Sequence, residues 1–173
     1  REDEVSSSDL APFSTVILPY NSRLTESLYA AVHRFIRRGG RALVFYSEDP
    51  RLAELMGVEL FPYTRAPRFT PWTSFRFERP DRWHVPERIY QRTGNLVPAR
   101  PASGDGDVIA AWQHAFGREY EQPAVIATPS GFWITHVLKD GHEFGKRMML
   151  GALLGHTNPA LMKAAARKAF YFS

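Results

Sequence analysis

An α/β fold is what this sequence predicts, on three observations. Residues 14–49 run from a short apolar stretch through an amphipathic segment and a Gly-Gly pair into a second apolar stretch. Residues 124–154 place two further apolar stretches around Pro129-Ser130-Gly131 and follow them with a helical pattern. Between the two lies a segment with Pro62, Pro67, Pro71, Pro80, Pro86, Pro98 and Pro101, too many prolines for long regular elements. The expectation is a mostly parallel sheet flanked by helices, with an irregular insertion and a C-terminal hairpin.

Val16, Ile17 and Leu18 form the continuous apolar run of a strand covered on both faces. Thr25 is placed to cap a helix, with Glu26 favourable in its first turn. Leu28, Val32, Phe35 and Ile36 recur at helical spacing and build one apolar face. Gly39 supplies the left-handed stop. Ala42–Tyr46 is a second strand, parallel to the first through a right-handed crossover. Pro50 opens a short helix over Arg51–Met56 that ends at Gly57, and Val58–Phe61 is a further short strand. Thr73–Glu78 alternates weakly, as an edge strand does, and Pro86–Arg92 is expected as one or two helical turns. Ser103-Gly104-Asp105-Gly106 is a turn and Val108–His114 a strand. Ala124–Ala127 and Phe132–Leu138 form a hairpin. Asp140 and Glu143 have capping-box spacing before a helix that ends at Gly155. Asn158-Pro159 opens a last helix with proline at its first position.

Composition narrows the function classes. The 173 residues suit one domain with a real core; hydrophobic residues make up 44% and charged residues 23%. No apolar run reaches the ~18 residues of a membrane span. There is no cysteine, so neither a disulfide nor a thiolate nucleophile is available. The net charge of +4 is small and interspersed with acids, which does not favour nucleic acid as a partner. The polar start at Arg1 lacks a signal-peptide core and points to a processed or internal beginning.

The segment LPYNSRLTESLYAAVHRFIRRGGRALVFYSED, followed by LAELMGVEL, resembles the class I glutamine-amidotransferase-like fold, which is flavodoxin-like. The later run PAVIATPSGFWITHVLKDGHEFGKRMMLGALLGHTNPALMKAAAR is similar to the end of the noncatalytic amidotransferase-like domain attached to bacterial family-10-like glycosyl hydrolases. The resemblance implies an α/β domain over residues 1–157 and a connector over 158–173 leading to a neighbouring domain. It implies an earlier β-α unit that this chain lacks, and it favours an extracytoplasmic setting. Catalytic members of the fold carry a cysteine on a strand-to-helix elbow with a histidine and a glutamate behind it. With no cysteine here, none of those roles carries over.

Candidate sites follow from residue types. In open α/β sheets ligands bind outside the carboxyl ends of the strands, which singles out Asn21, Ser22, Tyr46, Ser47 and Glu48. Glu48 and Asp49 read better still as the polar start of the next helix. Ser130 lacks the G-x-S-x-G elbow and reads as a hairpin turn. His33, His84, His114, His136, His142 and His156 show no metal-ligand spacing, so neither a metal nor another cofactor is expected. His156 is expected to interact at a helix C-terminus. An arginine–aromatic segment interleaves Arg65, Arg68, Arg76, Arg79, Arg82, Arg88, Arg92 and Arg100 with Tyr63, Phe69, Trp72, Phe75, Phe77, Trp83 and Tyr90. Its Trp72, Arg76, Trp83 and Arg100 are candidates for a protein interface or for carbohydrate contact, against the reading in which aromatics pack and arginines solvate the insertion. The apolar last helix, ending Phe170-Tyr171-Phe172, is expected to dock on this domain or on a neighbour. Three functions follow in order: a noncatalytic accessory, structural or oligomerising domain of a carbohydrate-active protein, with a neighbouring domain or chain as partner; a small-molecule enzyme or binding domain using the strand ends; and a polyanion-binding module using the arginines.

Overall fold

The computed structural model describes residues 9–66, 71–102, 104–114, 119–161 and 163. In chain order the elements are β1 (Thr15–Leu18), α1 (Glu26–Arg37), β2 (Arg41–Phe45), α2 (Pro50–Met56), β3 (Val58–Leu60), β4 (Thr64–Arg65) and β5 (Trp72–Phe77). They continue with α3 (Pro80–Trp83), β6 (Arg88–Thr93), β7 (Asn95–Leu96), β8 (Ala99–Pro101), β9 (Asp107–His114), β10 (Glu119–Thr128), β11 (Gly131–Ile134) and α4 (Glu143–Thr157). Seven strands form one sheet in the order β1-β2-β11-β10-β9-β5-β6. The α/β class holds. The parallel character expected of the sheet covers β1, β2 and β11 and ends there; β10, β9, β5 and β6 join antiparallel. Register shifts between β9 and β10 mark bulges, which bend and twist the sheet. Two short pairs, β3 with β8 and β4 with β7, hold the insertion together.

β2 shows why the opening unit is legible. Ala42 and Val44 point to one core, with Leu28 and Val32 of α1, Leu52 and Met56 of α2, and Trp133. Leu43 and Phe45 point to the other, with Trp112, Phe132 and Ile134 and with Met149 and Leu153 of α4. A strand buried on both faces must be apolar at every position rather than at alternate ones. Each such side chain stabilises the fold by about 1.5–3 kcal/mol relative to exposure. β1 differs: it lies at the sheet edge, so Ile17 is exposed and the expected cover on both faces is incomplete. Thr25 caps α1, its Oγ1 accepting from the Leu28 amide at 3.3 Å, and Gly39 has φ +93°.

Several expectations change. Pro86–Arg92 is not helical: β6 occupies Arg88–Thr93, with Ile89, Gln91 and Thr93 buried and Tyr90 and Arg92 outward. The helix of this region is instead α3, begun by Pro80. β5 is not an edge strand, because β6 and β9 pair with it on either side. Asp140 does not cap α4. The N-cap is His142 in the left-handed region (φ +55°), and Glu143 Oε1 accepts from the Gly141 amide at 2.8 Å. Lys146 folds back from α4 and donates to the carbonyls of Lys139, Asp140 and Gly141, closing that loop. α4 passes through Gly155 and ends at Thr157; Asn158 is its C-cap, and the Asn158 Oδ1 accepts from the Ala160 amide at 3.1 Å and so starts the next turn. β10 begins before Ala124, and β11 stops at Ile134 rather than Leu138. Arg68, Phe69, Ser103 and the Phe170-Tyr171-Phe172 ending lie outside the described residues.

Candidate functional site

β1, β2 and β11 run parallel, so their carboxyl ends open at one edge of the sheet. Three connections meet there: the loop after β1, the turn from β2 into α2, and the segment after β11. The β2–α2 turn is a strand-to-helix elbow with Tyr46 at its apex, in a left-handed conformation (φ +48°) that is costly for a side chain of this size. Asp49, two residues beyond Ser47, takes the helix-start role. Its Oδ1 accepts from the Arg51 amide at 3.0 Å and the Leu52 amide at 3.4 Å, and its Oδ2 from the Leu24 amide at 3.0 Å. Arg51 pairs with both Asp49 and Glu26. Burial pushes the Asp49 carboxyl up, but the bonds from Arg51 and Leu24 outweigh it and leave the group below its ordinary value.

Asn21 and Ser22 lie in the loop after β1, and Tyr46 and Glu48 in the β2–α2 turn. The Glu48 amide donates to the Ser22 carbonyl at 3.0 Å, tying the two loops. Asn21 and Ser47 are buried, while Ser22 and Glu48 are exposed. The half-buried Tyr46 ring lies between two others: Tyr20, stacked at 5.7 Å and 17°, and His136, tilted at 5.2 Å. Its hydroxyl accepts from Asn95 Nδ2 at 3.0 Å. Burial raises the phenol's pKa; the Asn95 bond works against this, and Tyr63, Glu48 and Tyr20 add to it. The elbow therefore presents a neutral phenol at physiological pH.

Behind Tyr46 lies a buried polar network that the sequence did not disclose. His136 Nδ1 is 2.8 Å from the Val137 carbonyl, which only accepts, so Nδ1 carries the proton and Nε2 accepts from the Thr93 hydroxyl at 2.9 Å. Gln91 bridges the strands, donating to the Val137 carbonyl at 2.8 Å and accepting from the Lys139 amide at 2.9 Å. Trp112 Nε1 donates to Thr135 Oγ1 at 2.9 Å, which passes its own proton to the Pro123 carbonyl at 2.8 Å. A hydroxyl bonded to an imidazole is the arrangement of an activated nucleophile in an open cleft. Here Thr93 is 1% and His136 3% exposed, so no substrate reaches the pair.

Burial lowers the His136 pKa, Lys139 adds to this, and the Val137 carbonyl offsets part of it. The unfolded chain therefore takes up this proton before the folded one, and stability rises with pH across that window. Stability is expected to fall as pH drops below about 6.5, the unperturbed histidine value, towards the folded value. His136→Gln should flatten the dependence of the thermal midpoint on pH between these limits. An unchanged slope in the variant would assign the acid sensitivity to other groups.

Trp72, Arg76, Trp83 and Arg100 are not brought together. Trp72 is buried in the core with Phe75 and Phe77. Trp83 packs edge-on against Phe132 at 5.8 Å and His156 at 5.0 Å, joining α3 to α4. His156 Nε2 lies 3.2 Å from the Trp83 carbonyl, so this histidine reaches across to α3 rather than along its own helix end. Arg76 pairs with Glu87, and Arg100 with Glu59 on the β3–β8 pair. These pairs give two of the segment's arginines an acidic partner. Ser130 sits in the hairpin turn at the opposite strand ends, beside a groove of about 600 Å³ whose walls include His33, Arg37, Glu54 and Asp105, charges of both signs. Among the described residues no three His, Asp or Glu side chains are grouped to hold a metal, and no helix is long and apolar enough to cross a membrane.

No protein-family model matches the sequence, and no curated protein sequence matches it. Solved structures do match in fold. A β-galactosidase from Rahnella sp. R3 aligns over 86% of this chain and 23% of its own, with TM-score 0.63 and 14% identity. An α-L-fucosidase isoenzyme 2 from Paenibacillus thiaminolyticus aligns over 89% of this chain and 26% of its own, with TM-score 0.55 and 17% identity. A Thermoplasma acidophilum protein described as part of a GMP synthase matches over 98% of this chain and 82% of its own, with TM-score 0.58 and 14% identity. At these identities the likeness is one of fold. The chain spans about a quarter of the length of the glycosidases it resembles and most of the length of the synthase component.

Proposed function

We propose that the chain is a noncatalytic domain of the amidotransferase-like type, serving as an accessory or structural part of a carbohydrate-active protein. The observation that carries this reading is the elbow itself. The strand-to-helix apex, where a catalytic member of that fold holds its nucleophile, is occupied by Tyr46. Its neutral hydroxyl is engaged by Asn95, and its ring is held between Tyr20 and His136. The imidazole beside it is buried and bonded to Thr93. Glycosidases among the structural neighbours, each roughly four times this chain's span, support the carbohydrate association.

Two measurements test the reading. The chain is expected to release no ammonia from glutamine and no nitrophenol from 4-nitrophenyl β-galactoside or α-fucoside above the buffer rate. Turnover that His136→Ala abolishes would overturn the noncatalytic assignment. The reading frame that carries the chain is expected to encode a glycosidase catalytic domain beside it; a frame with none removes the accessory role.

A further inference from the structure

We propose that Tyr20 and Tyr46, with Asn95 and Glu48, form a binding subsite for a neutral hexopyranoside at the carboxyl ends of β1 and β2. Tyr20 follows β1 by two residues and is 57% exposed, although it is held in a defined stack on Tyr46. Tyr20 belongs to neither of the two buried clusters. Tyr63 is also 45% exposed. The left-handed backbone at Tyr46 directs its ring into the stack, and strain of this kind at a strand end is characteristic of binding sites.

The chemistry of the group selects the ligand. The outer face of Tyr20 offers a flat apolar platform, matched by the face of a pyranose that carries axial C–H bonds. The Tyr46 hydroxyl accepts the Asn95 amide proton, and no described residue accepts its own, so it has a proton to donate to a ligand oxygen. Glu48 is exposed and supplies an acceptor for sugar hydroxyls. One apolar face with a few convergent polar groups is how small-ligand sites fix orientation. An anionic sugar is disfavoured, because Glu48 is the charged side chain that bears on the Tyr46 hydroxyl. An organic cation fits less well, because Tyr20 and Tyr46 stack nearly parallel and leave a single outer ring face rather than a cage.

This subsite rests on the carbohydrate-associated reading above but fails separately from it. The test is saturation-transfer NMR on the whole chain with methyl β-D-galactopyranoside and methyl α-L-fucopyranoside, with methyl β-D-glucuronoside and choline as comparators. Transfer to the C–H face of a neutral sugar is expected, with a Kd on the order of 1 mM, as suits a small open site. Tyr20→Ala should weaken binding about tenfold by removing the platform. Tyr46→Phe, which keeps the ring, should weaken it about fivefold by removing one donor. Both variants should stay folded, with a cooperative thermal transition and at most a small loss of midpoint. No transfer in the wild type, equal transfer in Tyr20→Ala, or preference for choline or the glucuronoside would each overturn the subsite. Hydrolysis of a nitrophenyl glycoside would overturn the noncatalytic reading while leaving the subsite in place. Absence of sugar binding in a chain encoded beside a glycosidase domain would do the reverse.

Discussion

Gly131→Ala is expected to leave little folded protein. Gly131 is the first residue of β11, paired with Ala42 of β2 on one side and Thr128 of β10 on the other. Its φ of +131° is one that L side chains rarely adopt. A Cβ there would sit 2.0 Å from the Ala42 carbonyl oxygen and 2.8 Å from the Ala42 amide nitrogen. Both obstacles are backbone of β2, an interior strand, so no side chain can swing aside to relieve them. Either β11 moves away from β2, or the hairpin turn rebuilds and shifts register on β10. Either route opens the contact between Ala42–Phe45 and Phe132–Ile134 that divides the two cores. A cost of about 4 kcal/mol or more is expected, a large part of the 5–15 kcal/mol that holds a domain together. Soluble yield and the urea midpoint check it. Gly151→Ala is the matched control: it lies exposed in α4 with nothing within 4 Å of the added carbon, and should stabilise by about 0.5–1 kcal/mol. Equal behaviour of the two variants would show that β11 does not need its close approach to β2.

The contrast between β2 and β6 shows what the sequence could and could not disclose. β2 is apolar at every position because both faces meet a core, and periodicity finds such a run without help. β6 alternates instead, but its inward positions include Gln91 and Thr93, which satisfy His136 and the segment after β11 rather than pack as hydrocarbon. Polar side chains turned inward erase the hydrophobic alternation that marks a strand. The same network hid part of the site. Strand ends alone place Asn21, Ser22, Tyr46 and Glu48 at this end of the sheet, whereas Tyr20, Asn95 and His136 contact Tyr46 through side-chain packing and long-range pairing. Trp72 illustrates the converse limit: interleaving with arginine looks alike whether the aromatic faces water or the core. What decides is that β5 is an interior strand, which depends on β9 and β6 arriving from later in the chain.

Asp49→Ala should be the most damaging change at the elbow. The carboxylate is 1% exposed and serves three backbone amides, those of Leu24, Arg51 and Leu52, besides the Arg51 guanidinium. Losing an ordinary helix cap costs about 1 kcal/mol, the value expected for Thr25→Ala on α1. Asp49→Ala also strands the Leu24 amide in a buried place and leaves Arg51 without its buried counter-charge, so about 3 kcal/mol is expected. Asp49→Asn keeps one acceptor oxygen and should fall between the two. The acid limb follows with the same sign as for His136 but lower on the pH scale. A carboxyl held below its ordinary value lends stability that is full above about 3.9 and is lost as pH falls towards the folded value. Wild type and Asp49→Asn should therefore converge in stability as pH falls below about 3.9, while remaining apart at pH 7. Urea midpoints at the two pH values read this directly. A gap that persists unchanged in acid would mean that the amide bonds alone, and not the charge, bind the loop after β1 to the elbow. Because that loop carries Tyr20 and the elbow carries Tyr46, Asp49→Asn is also expected to weaken pyranoside binding by more than its small loss of stability at pH 7 would suggest.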